Sequence, residues 1–214
     1  MTTPSRSAAN IVPEAPSTQS IAIRLSGFAV SGGGMAFGLA IFLTALRPLG
    51  PGSVTSSVAT LLIVAAGLLL LGLPGLYLTQ AEASGSLGLA GHVLLTVGLL
   101  LLVLASAAPI LFPGQNVVAP EDPALFSLAL ALTGGLVLTG IATWRADVLP
   151  RLAAGLLLVG TVGFFFAFFI AELLPPAAGQ IGTAACGITL GAGFVVAGLG
   201  SASSRSLNRV PTAI

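Results

Sequence analysis

Charge is what this sequence has least of: Asp, Glu, Lys and Arg make up 6% of its 214 residues. All seven basic residues are arginine, set against six acids for a net charge of +1. A soluble domain commonly carries charge on about a quarter of its residues, so this chain cannot clothe itself for water. A balance this close to neutral leaves no electrostatic footprint for nucleic acid, and no nucleic-acid partner is expected. There is one histidine, His92, and one cysteine, Cys186. A lone cysteine cannot form an intrachain disulfide, and it leaves the redox compartment undecided. No P-loop, HExxH, GxSxG or CxxC occurs, so the signatures of nucleotide, zinc-protease, hydrolase and thiol chemistry are missing. No apolar run carries a central Asp, Glu, Lys or Arg, where ion-coupled pumps place such groups. The reading is therefore of a non-enzyme with no catalytic residues, no metal site and no cofactor.

What is present is apolar. Hydrophobic residues make up 56% of the chain. In hydrocarbon every backbone N–H and C=O must be satisfied internally, so such runs become helices or closed barrels. The runs are near 20 residues, as a crossing helix needs, and do not alternate as barrel strands do. The expected fold is all-α: a polytopic transmembrane helix bundle of about six helices, over 24–45, 54–79, 86–112, 124–144, 151–173 and 180–202. They form a single domain, 21–203, between a polar, disordered N-terminal tail, 1–20, and a short tail, 204–214. The first run rivals a secretory signal peptide cleaved after Ala45, but it is long for one and position 43 is Leu, which favours an uncleaved helix. Pro74, between Gly72 and Gly75, predicts a kink near the end of the second helix. Pro175 and Pro176 are expected to end the fifth.

Arginine placement sets orientation. With the N-terminus inside, Arg6, Arg24, Arg145, Arg151, Arg205 and Arg209 fall on the cytoplasmic side and only Arg47 outside. Glu121 and Asp122 then lie outside, Glu82 inside, and Tyr77 and Trp144 at the cytoplasmic interface. Both termini are expected in the cytoplasm. A short internal repeat accompanies this: Gly75 recurs as Gly140, and Thr96-Val97-Gly98 as Thr161-Val162-Gly163, at one offset. The copies would share orientation, as in parallel repeats, though matches between such common residues also arise by chance.

A few residues are candidates for chemistry. His92 reads as a haem ligand or proton relay, with Met35 as the other possible axial ligand; the commoner reading is a neutral imidazole hydrogen-bonded near the interface. Glu172 shares a helix face with Phe168 and Phe169. A carboxylate within a membrane helix is a functional candidate, but its place near the helix end puts it at the outer interface, in water or beside Arg47. Phe164, Phe165, Phe166, Phe168 and Phe169 either line a pocket for a quinone, pigment or sterol or fill space between helices. Gly34 and Gly38, and Gly187 and Gly191 with Thr183 one turn before, make small-residue strips for close helix packing, within this bundle or with a partner.

The stretches GLYLTQAEASGSLGLAGHVLL (75–95) and VLPRLAAGLLLVG (148–160) resemble segments of small uncharacterised multi-helix membrane proteins of bacteria. The resemblance covers the central four helices. It implies a bacterial cytoplasmic (inner) membrane location and brings no activity or functional residues with it.

Three functions remain. The first is a non-catalytic scaffold or accessory subunit, its partners the lipid bilayer and another membrane protein or itself. The second is a small carrier or channel for an apolar or weakly polar solute, lined by Thr96, Thr139, Thr161 and Thr189. The third is a His92-dependent membrane haem or redox protein.

Overall fold

The structure, a computed structural model, describes residues 18–45, 56–112, 123–170 and 176–203, without the side chains of 18–20, 125, 167–170 and 176. Among them all regular structure is helical: α1 (Thr18–Ala45), α2 (Ser56–Leu111), α3 (Pro123–Ala146), α4 (Arg151–Ile170) and α5 (Pro176–Ser203). Four are long and apolar enough to cross a membrane: α1 over Ile21–Ala45, α2, α3 over Phe126–Ala146 and α5 over Ala177–Ser203. The apolar stretch of α4, Arg151–Phe166, is shorter.

α1, α3 and α5 start earlier than composition suggests. Residues 18–20, expected in the tail, are already helical. Pro176, expected to help end the fifth helix, instead opens α5, and Pro123 opens α3. The first helical position needs no N–H and suits proline's fixed φ.

The larger departure is α2. The runs 54–79 and 86–112 were expected as separate helices joined by a short loop. Instead the first continues through Ser84, and one residue, Gly85, leaves helical geometry (φ 55, ψ −146). Pro74 stays inside the helix, which runs on for ten more residues beyond it. About half a turn away, the Ser26 hydroxyl of α1 donates to the Gly72 carbonyl at 2.5 Å. At Gly85 the chain turns back. The rings of Tyr77 and His92 lie 5.1 Å apart between centroids, whereas fifteen residues of straight helix would separate them by roughly 22 Å. α2 is thus a helical hairpin with arms 56–84 and 86–111.

Each element packs on its chain neighbour, and α5 returns to α1. Gly33 of α1 faces Leu69 of the first arm, Gly91 of the second arm faces Thr139 of α3, Gly140 faces Leu158 of α4, Gly160 faces Leu190 of α5, and Gly34 faces Phe194. The middle is filled: Val30, Leu69, Leu73, Leu95, Leu99, Leu157, Leu190 and Phe194, drawn from α1, both arms of α2, α4 and α5, belong to one buried apolar cluster.

These contacts also fix which ends lie together. Gly75 meets Ser26, Gly27 meets Gly198, Gly155 meets Trp144 and Gly200 meets Pro150. The start of α1, the Gly85 turn, the α3–α4 link and the end of α5 therefore share one end of the bundle. Arg24, Arg145 and Arg151 gather there with Glu82 and Asp147. Asp147 adopts a positive φ of 51 in the α3–α4 link, and its carboxylate accepts from Arg151 Nε at 2.9 Å.

Gly85 and Gly67 make a matched pair of probes, because a Cβ at either would meet nothing within 4 Å. Only Gly85 has a backbone conformation that side chains resist. Gly85→Ala is expected to lower stability by about 1–3 kcal/mol. Gly67→Ala, in a helix interior, is expected to be neutral or stabilising by up to about 1 kcal/mol. Unfolding of the detergent-solubilised protein by a denaturing detergent measures both.

Candidate functional site: a glycine seam and a polar corner

Along α1 the residues Gly27, Ser31, Gly34 and Gly38 fall at alternating spacings of four and three, which place them on one face of a helix. They meet Gly187, Gly191, Phe194 and Gly198 of α5. A Cβ on Gly38 would lie 3.0 Å from the Gly187 carbonyl oxygen and 3.2 Å from Gly191 Cα; one on Gly191 would lie 2.8 Å from the Gly34 oxygen. A Cβ on Gly27 would lie 2.6 Å from the Gly198 oxygen. Backbone therefore lies on backbone along the crossing. The Ser31 hydroxyl sits within reach of two carbonyls, Gly27 at 3.0 Å in its own helix and Val195 at 3.2 Å across the seam. The structure thus places Gly34 and Gly38 against Gly187 and Gly191. Thr183, one turn before, donates to its own helix at Gly179, 2.9 Å away. Sequence reasoning missed Gly27 and Gly198. The signal was the seven-residue spacing of Gly27 to Gly34 and of Gly191 to Gly198, which repeats the same face every two turns.

The polar corner lies where the α2 hairpin meets α3, near the Gly85 turn. Gln80 is 4% exposed and Thr143 2%, and the Thr143 hydroxyl donates to Gln80 Oε1 at 3.1 Å. One turn along each helix stand Ser84 and Thr139, both buried, with hydroxyl oxygens that have no hydrogen-bond partner. Gly88 makes room for the Ser84 side chain, and Gly91 lets the α3 backbone at Thr139 approach. Of this corner the sequence reading named only Thr139, because Gln80 and Ser84 fall in the expected cytoplasmic turn between the runs 54–79 and 86–112. Its amide and hydroxyls can accept and donate hydrogen bonds to one another or to a small polar guest. They include no acid, base or activated nucleophile.

The other named residues disperse. His92 is half-buried against Tyr77, and its backbone carbonyl accepts from Thr96 Oγ1 at 2.8 Å. Met35 is 63% exposed on the outer side of α1. Ser26 is level with Gly75, close to Tyr77 and His92; Met35 is nine residues further along, roughly 13 Å. The two do not meet in this bundle. Among the described residues no three of His, Cys, Asp and Glu gather. Phe164 packs against the core while Phe165 and Phe166 are exposed and meet edge to face at 6.3 Å; the side chains of Phe168 and Phe169 are not described. Glu172, Arg47, Glu121 and Asp122 lie outside the described residues. Of the four threonines named for a solute path, Thr161 donates to Leu157, Thr189 to Ala185 and Thr96 to His92, each within its own helix, and Thr139 is the unpartnered hydroxyl of the polar corner.

No family model matches this chain, and no curated protein or solved structure matches it either.

Gly191→Ala drives a methyl group into the α1 backbone. It is expected to cost about 1–3 kcal/mol, the range for overpacking a tight contact. Thr143→Val removes a single interhelical hydrogen bond and is expected to cost about 0.6 kcal/mol. Denaturation midpoints of the two variants, measured side by side, should fall in that order.

Proposed function

We propose that this chain is a protein of a bacterial cytoplasmic membrane that crosses it six times and acts as a non-catalytic scaffold or accessory subunit. Each arm of α2 exceeds the roughly 20 residues that one crossing needs, and α4 is 20 residues long. Counting the arms separately gives an even number of crossings, so both termini lie on one side. The end that gathers Arg24, Arg145 and Arg151 is the cytoplasmic one by the positive-inside rule.

The observation that carries the functional reading is the filled interior. Phe194, Leu69, Leu73, Leu95, Leu99, Leu157 and Leu190 are each 1% exposed, which supports this reading because carriers keep a binding site near mid-bundle. A bundle closed on itself in this way presents its chemistry outward. Its outer faces are apolar: Leu71 is 74% exposed, Val159 68% and Leu104 67%. Such faces meet lipid or another membrane helix.

Gentle extraction of the full chain through a C-terminal tag, followed by mass spectrometry and an absorption spectrum, tests this. The expected result is a colourless complex with a second membrane protein or a further copy in fixed ratio. A lone, colourless monomer would count against the scaffold and turn attention to solute uptake in vesicles. A visible absorption band would restore the haem reading.

A further inference from the structure

On the outside of the bundle, a groove of about 530 Å³ runs between the second arm of α2 and α3. Its walls include Ser86, Leu89, Ala90, Val93, Val97 and Leu138. The α2 residues recur at three- and four-residue spacings, so they form one stripe along the arm. From Ser86 to Val97 the stripe is roughly 16 Å long, about half of the ~30 Å hydrocarbon thickness of a bilayer. It is the length of one leaflet and is nearly free of polar surface. Its mouth is different. Leu138 and Arg145 are seven residues apart, two turns along one face of α3. Gly88 lies beside Ala142 and Gly91 beside Thr139, and this antiparallel register sets Arg145 level with Gly85, next to Ser86. Arg145 is exposed. Among the described residues the ion pair at this end joins Arg151 to Asp147, which leaves the Arg145 guanidinium available. Trp144, beside it, is half exposed, as an interfacial anchor is.

We infer that this groove binds an anionic phospholipid of the cytoplasmic leaflet, one acyl chain along the Ser86–Val97 stripe and the headgroup phosphate on Arg145. The inference rests on the reading of the chain as a membrane protein with its arginine-bearing end in the cytoplasm. Apolar length equal to one leaflet, ending at a cation at interface depth, is the complement of such a lipid. A second copy of this chain would cover the stripe but would need an acid opposite Arg145. Glu82, exposed at the same end, lies beyond the turn from the stripe and serves as a control position.

The full chain, purified in mild detergent, is titrated with phosphatidylglycerol and, separately, with phosphatidylcholine, and the bound lipid is counted by native mass spectrometry. The expected result is one phosphatidylglycerol retained in preference to phosphatidylcholine. Arg145→Gln should weaken it about five-fold, the increment of one basic residue beside anionic lipid, and Glu82→Gln should not. Ala90→Trp, which fills the exposed groove without touching the core, should reduce retention of both lipids. Equal retention of the two lipids, or a preference that survives both Arg145→Gln and Ala90→Trp, overturns the site. So does a dimer that Ala90→Trp dissolves. If the chain is recovered in the soluble fraction without detergent, the membrane reading itself fails; if detergent is needed but no preference is found, only the lipid site falls.

Discussion

Between helices immersed in hydrocarbon there is no water to release, so association depends on how closely two surfaces can fit. Individual atom contacts contribute little, and a small gap forfeits much of what they offer. The seam between α1 and α5 answers this constraint by removing side chains, and backbone meets backbone at Gly34, Gly38, Gly187 and Gly191. α1 does so on two faces at once. Gly33 and Gly34 are consecutive, which turns them about 100° apart on a helix; the first admits Leu69 of α2 and the second Phe194 of α5. The remaining crossings use a one-sided form of the same device, a glycine on one helix against the backbone of a leucine on the other, as at Gly135 with Leu95 and Gly193 with Leu157. The filled core follows from these approaches, since leucines at the centre interlock only when the helix axes are this near.

The polar corner obeys the opposite logic. A hydroxyl or amide within an apolar bundle is costly unless paired, so its partners are fixed within narrow limits. The Gln80–Thr143 bond links the first arm of α2 to α3, while glycines set the distance between the second arm and α3. That one corner ties down all three segments around the Gly85 turn. Ser84 and Thr139, buried there without partners, remain as acceptors and donors that an ordered water could satisfy.

Composition and run length made the helical class legible, because scarce charge and runs near 20 residues leave few alternatives. The places where helices begin and break were less so. Pro74 marks the expected kink near the end of the second helix, and the helix runs on through it to Ser84. Gly85 looks ordinary in a chain with 28 glycines and is the point of reversal. Gly34, Gly38, Gly187 and Gly191 stand out as motifs, but that the two motifs face each other is a fact of topology. Met35 and His92 show the same limit: each is a plausible ligand by chemistry, and only their depths in the bundle separate them. Gln80 and Ser84 were hidden because polar residues between two apolar runs read as a turn, and the hairpin buries them instead.

The seam also sets a timetable. Ser31 and Val195, which meet across it, are 164 residues apart in the chain. At the roughly 5–20 residues per second of protein synthesis, α1 emerges on the order of ten to thirty seconds before its partner exists. During that interval its flattest face has nothing of its own chain to lie against, while the α2 hairpin, local in sequence, can close at once. Of the described helices, the first made is thus among the last to be enclosed. A nascent chain halted before α5 presents a glycine-lined strip to any helix nearby, and quality control in the membrane would meet that strip first.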